Sequence, residues 1–138
     1  MNCLRNIGRV ILPMSFLALF LTISIKVQAA VYYVSQTTGN DSTGYGTPGA
    51  PWATINHAIS VASASDTLNV AAGIYTENVF LNKALSLLGG YDPGSWTRNI
   101  PVFRTVLDGR GSGKVVASIV TNGPIIDGFV IQNGDYGV

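Results

Sequence analysis

The hydrophobic period of this chain changes once, and that change limits what the chain can fold into. Between Trp52 and Ala64 the apolar residues Ile55, Ala58, Ile59 and Ala62 recur at the spacing of one helical face, with Asn56, Ser60 and Ser63 opposite. Ser65-Asp66 then offers side-chain oxygens that compete for the backbone and ends the helix. From Asp66 onward the period is two. Leu68 and Val70 alternate with Thr67 and Asn69, Val79 and Leu81 with Asn78 and Phe80, and Leu85 and Leu87 with Ala84 and Ser86. Ile126 precedes Asp127, and beyond a kink at Gly128, Phe129 and Ile131 flank Val130. Gly or Asn closes each short run, at Gly73, Gly89-Gly90, Gly109, Gly111, Gly113, Asn122-Gly123 and Asn133-Gly134. Short strands separated by turns predict an all-β domain behind one helix.

The strands repeat. Leu85-Ser86-Leu87-Leu88-Gly89 and Pro124-Ile125-Ile126-Asp127-Gly128 read as successive copies of one strand that bends at glycine. The step from Leu87 to Ile126 is much longer than the step from Val70 to Leu87, but it contains Gly90–Phe103, which carries no strand pattern. With that segment set aside, both steps come near the length of one solenoid turn of three strands, about 20 residues. In such a turn each strand pairs with its equivalent one turn on. Leu68/Val70, Leu85/Leu87 and Ile126 would form the inward column. A sandwich also accommodates the strands taken alone. Upstream, Val31 to Ser35 reads as a short strand. Gln36 to Pro51, dense in Gly, Thr, Asn, Asp and Pro, reads as a loop.

The N-terminal stretch, up to Ala29, differs from the rest. Arg5 and Arg9 precede an apolar run, Val10 to Ile25, followed by Val27-Gln28-Ala29. A basic start, an apolar middle and small residues at the end are the parts of a secretory signal peptide. The run is shorter than the ~20 residues that span a bilayer. We therefore expect cleavage after Ala29 and no stable transmembrane segment afterwards. Beyond that point five Lys/Arg face seven Asp/Glu, a net of −2. No basic patch remains to hold a phosphate backbone, so nucleic acid is not an expected partner. The one cysteine, Cys3, lies ahead of the apolar run. The exported chain is thus expected to have neither a disulfide nor a thiolate metal site.

Four stretches carry a resemblance to a known family. The first is Tyr32-Tyr33-Val34-Ser35, with Gly39-Asn40-Asp41, Gly46-Thr47, Pro51-Trp52-Ala53-Thr54-Ile55 and Ala58-Ile59. The second is Asp66-Thr67-Leu68-Asn69-Val70-Ala71-Ala72-Gly73-Ile74-Tyr75-Thr76-Glu77. The third is Leu85-Ser86-Leu87-Leu88-Gly89-Gly90-Tyr91-Asp92, with Trp96, Arg98 and Thr105-Val106-Leu107-Asp108-Gly109. The fourth runs from Ile126-Asp127-Gly128 to Gln132-Asn133-Gly134. In this order they resemble the N-terminal part of bacterial pectate-lyase-like right-handed parallel β-helix proteins, including the DUF1565-type segment.

The resemblance implies an all-β, right-handed single-stranded parallel β-helix with an N-terminal capping amphipathic helix, truncated at the C-terminus. It divides the chain into a signal peptide at 1–29, a strand, loop and capping helix at 30–65, and the first, incomplete coils at 66–138. An open solenoid end exposes apolar side chains and unpaired backbone. Residues 30–138 alone are therefore expected to associate end to end, a state that light scattering detects. The Gly-Gly-Tyr-Asp pattern is similar to that of large surface-displayed β-helix proteins. It implies a secreted or cell-surface location, bacterial extracellular or outer membrane, and a non-catalytic module for adhesion or polysaccharide contact. The alternative is the N-terminal stretch of a polysaccharide lyase or glycoside hydrolase. Only a lyase would bring a cofactor, Ca²⁺ held by clustered acids.

The residues lean away from catalysis. His57, the only histidine, sits two positions after Ile55, off the apolar face, with no second His or a Cys to join it. Asp108, Asp127 and Asp135 are the best carboxylates for an acidic cluster, yet each lies beside or near glycine, where turn-shaping hydrogen bonds account for an aspartate. Arg110 and Lys114 belong to a Gly-rich turn that lacks the pattern of a phosphate loop. Asn40-Asp41-Ser42 lacks calcium-loop spacing and reads as a local turn. Tyr45, Tyr91 and Trp96 lie on loops where aromatic rings can stack on sugars, whereas Trp52 beside the helix reads as core. The candidate glycan contacts are Tyr91, Trp96, Asp127 and Asp135; no catalytic or metal residue is assigned. N-terminal sequencing of the exported chain should begin at Ala30, and a start at Met1 would remove the signal-peptide reading.

Overall fold

The computed structural model describes residues 28–120 and 122–135. The signal-peptide reading, apart from Gln28 and Ala29, lies outside the described residues, as do Cys3 and Tyr136–Val138. The described chain holds nine strands and one helix. In order they are β1 (Val31–Val34), α1 (Ile55–Val61), β2 (Thr67–Ala71), β3 (Gly73–Tyr75), β4 (Val79–Leu81), β5 (Ser86–Tyr91), β6 (Thr105–Asp108), β7 (Val116–Ser118), β8 (Ile125–Asp127) and β9 (Phe129–Gln132).

The strands form three sheets, ordered β1-β2-β5-β8, β3-β6-β9 and β4-β7, and every pairing in them is parallel. From β2 onward the chain visits the sheets in rotation and returns each time beside the strand it laid down one circuit earlier. The fold is all-β with parallel sheets and one short helix. Parallel neighbours need a long crossover, and here the other two sheets supply it.

Register places like residues above one another. Tyr32, Leu68, Leu87 and Ile126 pair in succession, as do Tyr75, Leu107 and Ile131. Leu68, Leu87, Leu107, Val79, Leu81 and Leu85 are fully buried in one core with Val34, Val70 and Tyr75. Val70 stacks on Val34 rather than on Leu87. Between Leu88 and Tyr91 β5 carries one residue more than β2, so Ala71 faces Tyr91 across a bulge.

The bend after each copy of the repeated strand is where two backbones touch. A Cβ on Gly89 would stand 2.5 Å from the Gly128 carbonyl oxygen, and one on Gly128 would stand 2.6 Å from that of Gly89. Gly128 also has φ +80°, which side chains disfavour. Only glycine meets both demands.

The helix is shorter than the periodicity of Trp52–Ala64 suggests. Thr54, in extended conformation, caps it by accepting from the His57 N–H, and Ala62 leaves it at ψ 150°. Trp52 precedes the helix and lies buried in the core, bridged to Val34. Asp66 does not end the helix directly; its carboxylate accepts from the Ser63 N–H at 2.7 Å and the Ala30 N–H at 2.8 Å. The Lys83 ammonium donates to the Ile59, Ser60 and Ala62 carbonyls at the helix end, where positive charge is favoured. The strandless stretch also starts later than expected, since Gly90 and Tyr91 belong to β5.

The buried face of α1, Ile55, Ala58 and Ile59, joins the core beside β1 and β4. Ile59→Asp puts an unpaired charge there and should destabilise the fold by several kcal/mol, whereas Leu87→Ala should cost about 2–5 kcal/mol. Val61→Thr, on the exposed side of the same helix, should stay within about 0.5 kcal/mol. Urea titration of the three variants checks the ranking, and an unchanged Ile59→Asp midpoint would remove the helix from the core.

Candidate functional site

The outward face of the first sheet carries the most unusual group of side chains. Register sets Tyr33 of β1, Asn69 of β2, Leu88 of β5 and Asp127 of β8 in one row, on the face opposite the core residues. Beyond Tyr91 the chain leaves the sheet and folds back over this row. Asp92 makes the turn possible: its Oδ1 accepts from the Gly94 and Ser95 N–H groups and the Ser95 hydroxyl. Those bonds, led by the Ser95 N–H, hold its carboxyl below the usual range.

Trp96 follows with φ +56°, a conformation rare for so bulky a residue. Its ring meets Tyr33 edge-on at 4.8 Å and Tyr91 at 6.4 Å, and its indole N–H donates to the Pro48 carbonyl at 3.1 Å. Arg98 returns toward the sheet. Its Nε donates to the Gly89 carbonyl at 2.9 Å, its Nη2 meets Asp127 Oδ2 at 2.6 Å, and its guanidinium lies 5.7 Å from the Tyr91 ring centre. Burial pushes the Tyr91 phenol up, only partly offset by Arg98. The loop thus clasps β1, β5 and β8 together.

Asn69 is the anomaly beneath. It is 9 % exposed, yet its buried Oδ1 has no hydrogen-bond partner, where nearly all such atoms have one.

Of the four candidate glycan contacts, Tyr91, Trp96 and Asp127 converge here, Asp127 through Arg98. Asp135 does not. It lies beside the turn after β6, where its carboxylate accepts from the Gly113 N–H at 3.0 Å. Asp108 sits at the start of the same turn and accepts from the Arg110 N–H and the Asn133 and Gln132 amides. Those bonds, the Arg110 N–H first, hold its carboxyl below the usual range. Tyr45 is exposed, and His57 lies edge-on to Trp52 at 5.4 Å. Among the described residues no three His, Cys, Asp or Glu gather as metal ligands, and no helix is long and apolar enough to cross a membrane. Sequence reasoning missed Tyr33, Asn69 and Arg98 as members of this group. Alternation assigns Tyr33 and Asn69 to the outward face, but it does not show that the Trp96 ring packs on Tyr33 or that Asn69 is buried.

A second polar cluster fixes the helix start. Asp41 accepts from the Ala53 and Thr54 N–H groups and the Thr54 hydroxyl. Glu77 reaches across to accept from the Ile55 and Asn56 N–H groups. Together the two carboxylates and Thr54 serve the N–H groups that a helix leaves unpaired at its start. Burial is the largest single influence on Asp41 and opposes its ionisation, but the bonds from Thr54 and Ala53 outweigh it and lower the carboxyl below 3.8. Burial dominates at Glu77 and pushes it above 4.5 despite its backbone bonds.

Residues 37–80 match the family model described as protein of unknown function (DUF1565). The chain therefore carries a DUF1565-type segment, which contains the Asp41 loop, α1 and the strands β2 and β3. The chain has no significant match among curated proteins or solved structures.

The two carboxylates at the helix start give opposite pH signs. Asp41, lowered in the fold, stabilises it above pH 3.8, and that contribution is lost as pH falls through its lower folded value. Glu77, raised in the fold, stabilises it most below pH 4.5, and that contribution fades as pH rises through its higher folded value. Asp41→Asn should therefore lower the melting temperature at pH 7 and flatten its fall below pH 3.8. Glu77→Gln should flatten the change just above pH 4.5 instead. Melting curves across pH check both, and identical profiles in the two variants would contradict the assignment.

Proposed function

We propose that the described coils are those of a right-handed parallel β-helix of the pectate-lyase-like kind, exported to the cell surface or beyond. We propose further that this stretch is a non-catalytic module for contact with polysaccharide. Rotation through three parallel sheets supports the solenoid reading. The right-handed sense follows from the strong preference of parallel crossovers for that hand. The observation that carries the functional reading is the Tyr33–Trp96–Tyr91 group on the outward sheet face, edged by the Arg98–Asp127 pair. Aromatic rings with a polar rim suit sugars, whose rings have apolar C–H faces and hydroxyl edges.

The test is a screen of the full chain against insoluble and soluble polysaccharides, with reducing-end and uronate-cleavage assays run alongside, with and without Ca²⁺. Retention on at least one polysaccharide without cleavage is the expected result. Cleavage would transfer the protein to the lyases or hydrolases, and retention on none would remove the glycan reading.

A further inference from the structure

One buried carboxylate in the fold has no counter-charge. Asp66 is 4 % exposed, and among the described residues the only ion pair is that of Arg98 with Asp127. Buried aspartates are ordinarily paired with a cation. Lys83, the cation that reaches this end of α1, gives its ammonium to the Ile59, Ser60 and Ala62 carbonyls instead. The Asp66 oxygens take two backbone donors, Oδ2 the Ser63 N–H at 2.7 Å and Oδ1 the Ala30 N–H at 2.8 Å. Ala30 is the residue that the expected cleavage after Ala29 leaves at the front of the chain.

We propose that removal of the leader completes this site: the α-ammonium freed at Ala30 becomes the counter-charge of Asp66 and locks the start of β1 to the turn between α1 and β2. This rests on the export reading above and adds what processing does to the fold.

The step balances with water alone. Hydrolysis by an export peptidase breaks the bond between the Ala29 carbonyl carbon and the Ala30 nitrogen. The hydroxyl of water goes to that carbon and its remaining proton to the nitrogen. The new acid then gives its proton to the new amine, so the Ala30 nitrogen changes from a neutral donor with one hydrogen to a cation with three.

The pair forms without rearrangement. Ala30 stays seated after the cut, because its carbonyl accepts from the Thr67 N–H at 2.9 Å and Val31 pairs with Thr67 in the ladder. Asp66 is seated as firmly: its N–H donates to the Ser63 carbonyl at 3.2 Å, and its carbonyl accepts from the Ser86 N–H at 3.0 Å. Gln28 and Ala29 are exposed, so their loss uncovers no core. The contact at 2.8 Å then becomes a charge-assisted bond, and such bonds are roughly twice as strong as neutral ones.

The exported chain tests this. Intact mass and N-terminal sequencing should give a start at Ala30. On that chain, trace labelling with acetic anhydride at neutral pH should modify the Ala30 amine at least about tenfold more slowly in the native than in the denatured state, because only the unprotonated amine reacts and Asp66 holds the proton on. Asp66→Asn, which keeps an acceptor and removes the charge, should abolish most of that protection. It should also lower the melting temperature of the Ala30 chain by at least about 4 °C more than that of a chain that keeps Gln28 and Ala29. An equal drop in both chains would show that Asp66 serves only backbone N–H groups and would overturn the proposal. Protection unchanged in a folded Asp66→Asn protein would trace it to burial alone and overturn it as well. So would a native amine as reactive as the denatured one, a comparison made on the wild type and decisive even where Asp66→Asn does not fold. An exported chain that starts at another residue would overturn the pair and leave export standing, whereas a start at Met1 would remove both.

Discussion

Everything in this fold depends on parallel pairing between one circuit of the chain and the next. From β2 onward each strand pairs with a strand one circuit away, and no two of β2 to β9 that are adjacent in sequence pair with each other. Buried backbone groups must be paired, so no circuit can be ordered without the one beside it. Side chains follow the backbone. Because the pairing is parallel and in register, Leu68 lies on Leu87 and Leu87 on Ile126, and the core is a set of columns. A slip by a single position would turn a whole column outward. The buried Leu and Val positions at alternate sites are what oppose that slip.

Columns leave corners, and the corners explain the buried polar residues. Where β2 passes to β3, the Tyr75 hydroxyl donates to the Ala71 carbonyl and accepts from the Gln36 N–H. Thr105 Oγ1 accepts from the Gly90 N–H at 2.9 Å and lies within 3.4 Å of the Val70 and Ala71 carbonyls. Ser35 takes the Thr38 N–H and hydroxyl in the same fashion. Each of these groups serves backbone near or just beyond the end of a strand. Burial raises the Tyr75 phenol strongly, so the hydroxyl stays protonated and remains a donor.

Alternation made part of this legible. Leu68, Val79, Leu81 and Leu87 announced inward positions because the alternation around them runs over enough of the chain to be read. β3 and β7, Gly73–Tyr75 and Val116–Ser118, are as short as β4 but show no apolar–polar alternation, so their pairing with β6 and β4 defines them instead. The helix was overextended for a related reason. Trp52 and Ala62 fit its apolar spacing, but Trp52 is held by Val34 and Ala62 by the turn toward Asp66, contacts that spacing does not encode. At the candidate site, Tyr91 and Trp96 could be picked out as loop aromatics. Asn69 could not, because its outward position reads as polar and ordinary, and nothing in the sequence shows that it is buried.

That loop also shows which contacts hold the outward face together. The Arg98–Asp127 pair is short but its side chains are partly exposed, and such pairs contribute about 0–1 kcal/mol. It cannot be the main fastening. The backbone bond from Asn99 to the Gly90 carbonyl, the Arg98 bond to the Gly89 carbonyl and the edge-on contact of Trp96 with Tyr33 are better shielded. All three depend on the Gly89-Gly90 segment or on β1 lying where the parallel ladder puts them. Gly89, which lets successive backbones touch at the bend, also presents a carbonyl to which the loop returns. The register shift in β5 falls between Leu88 and Tyr91, so the ring that meets Trp96 sits where the ladder between successive circuits changes step.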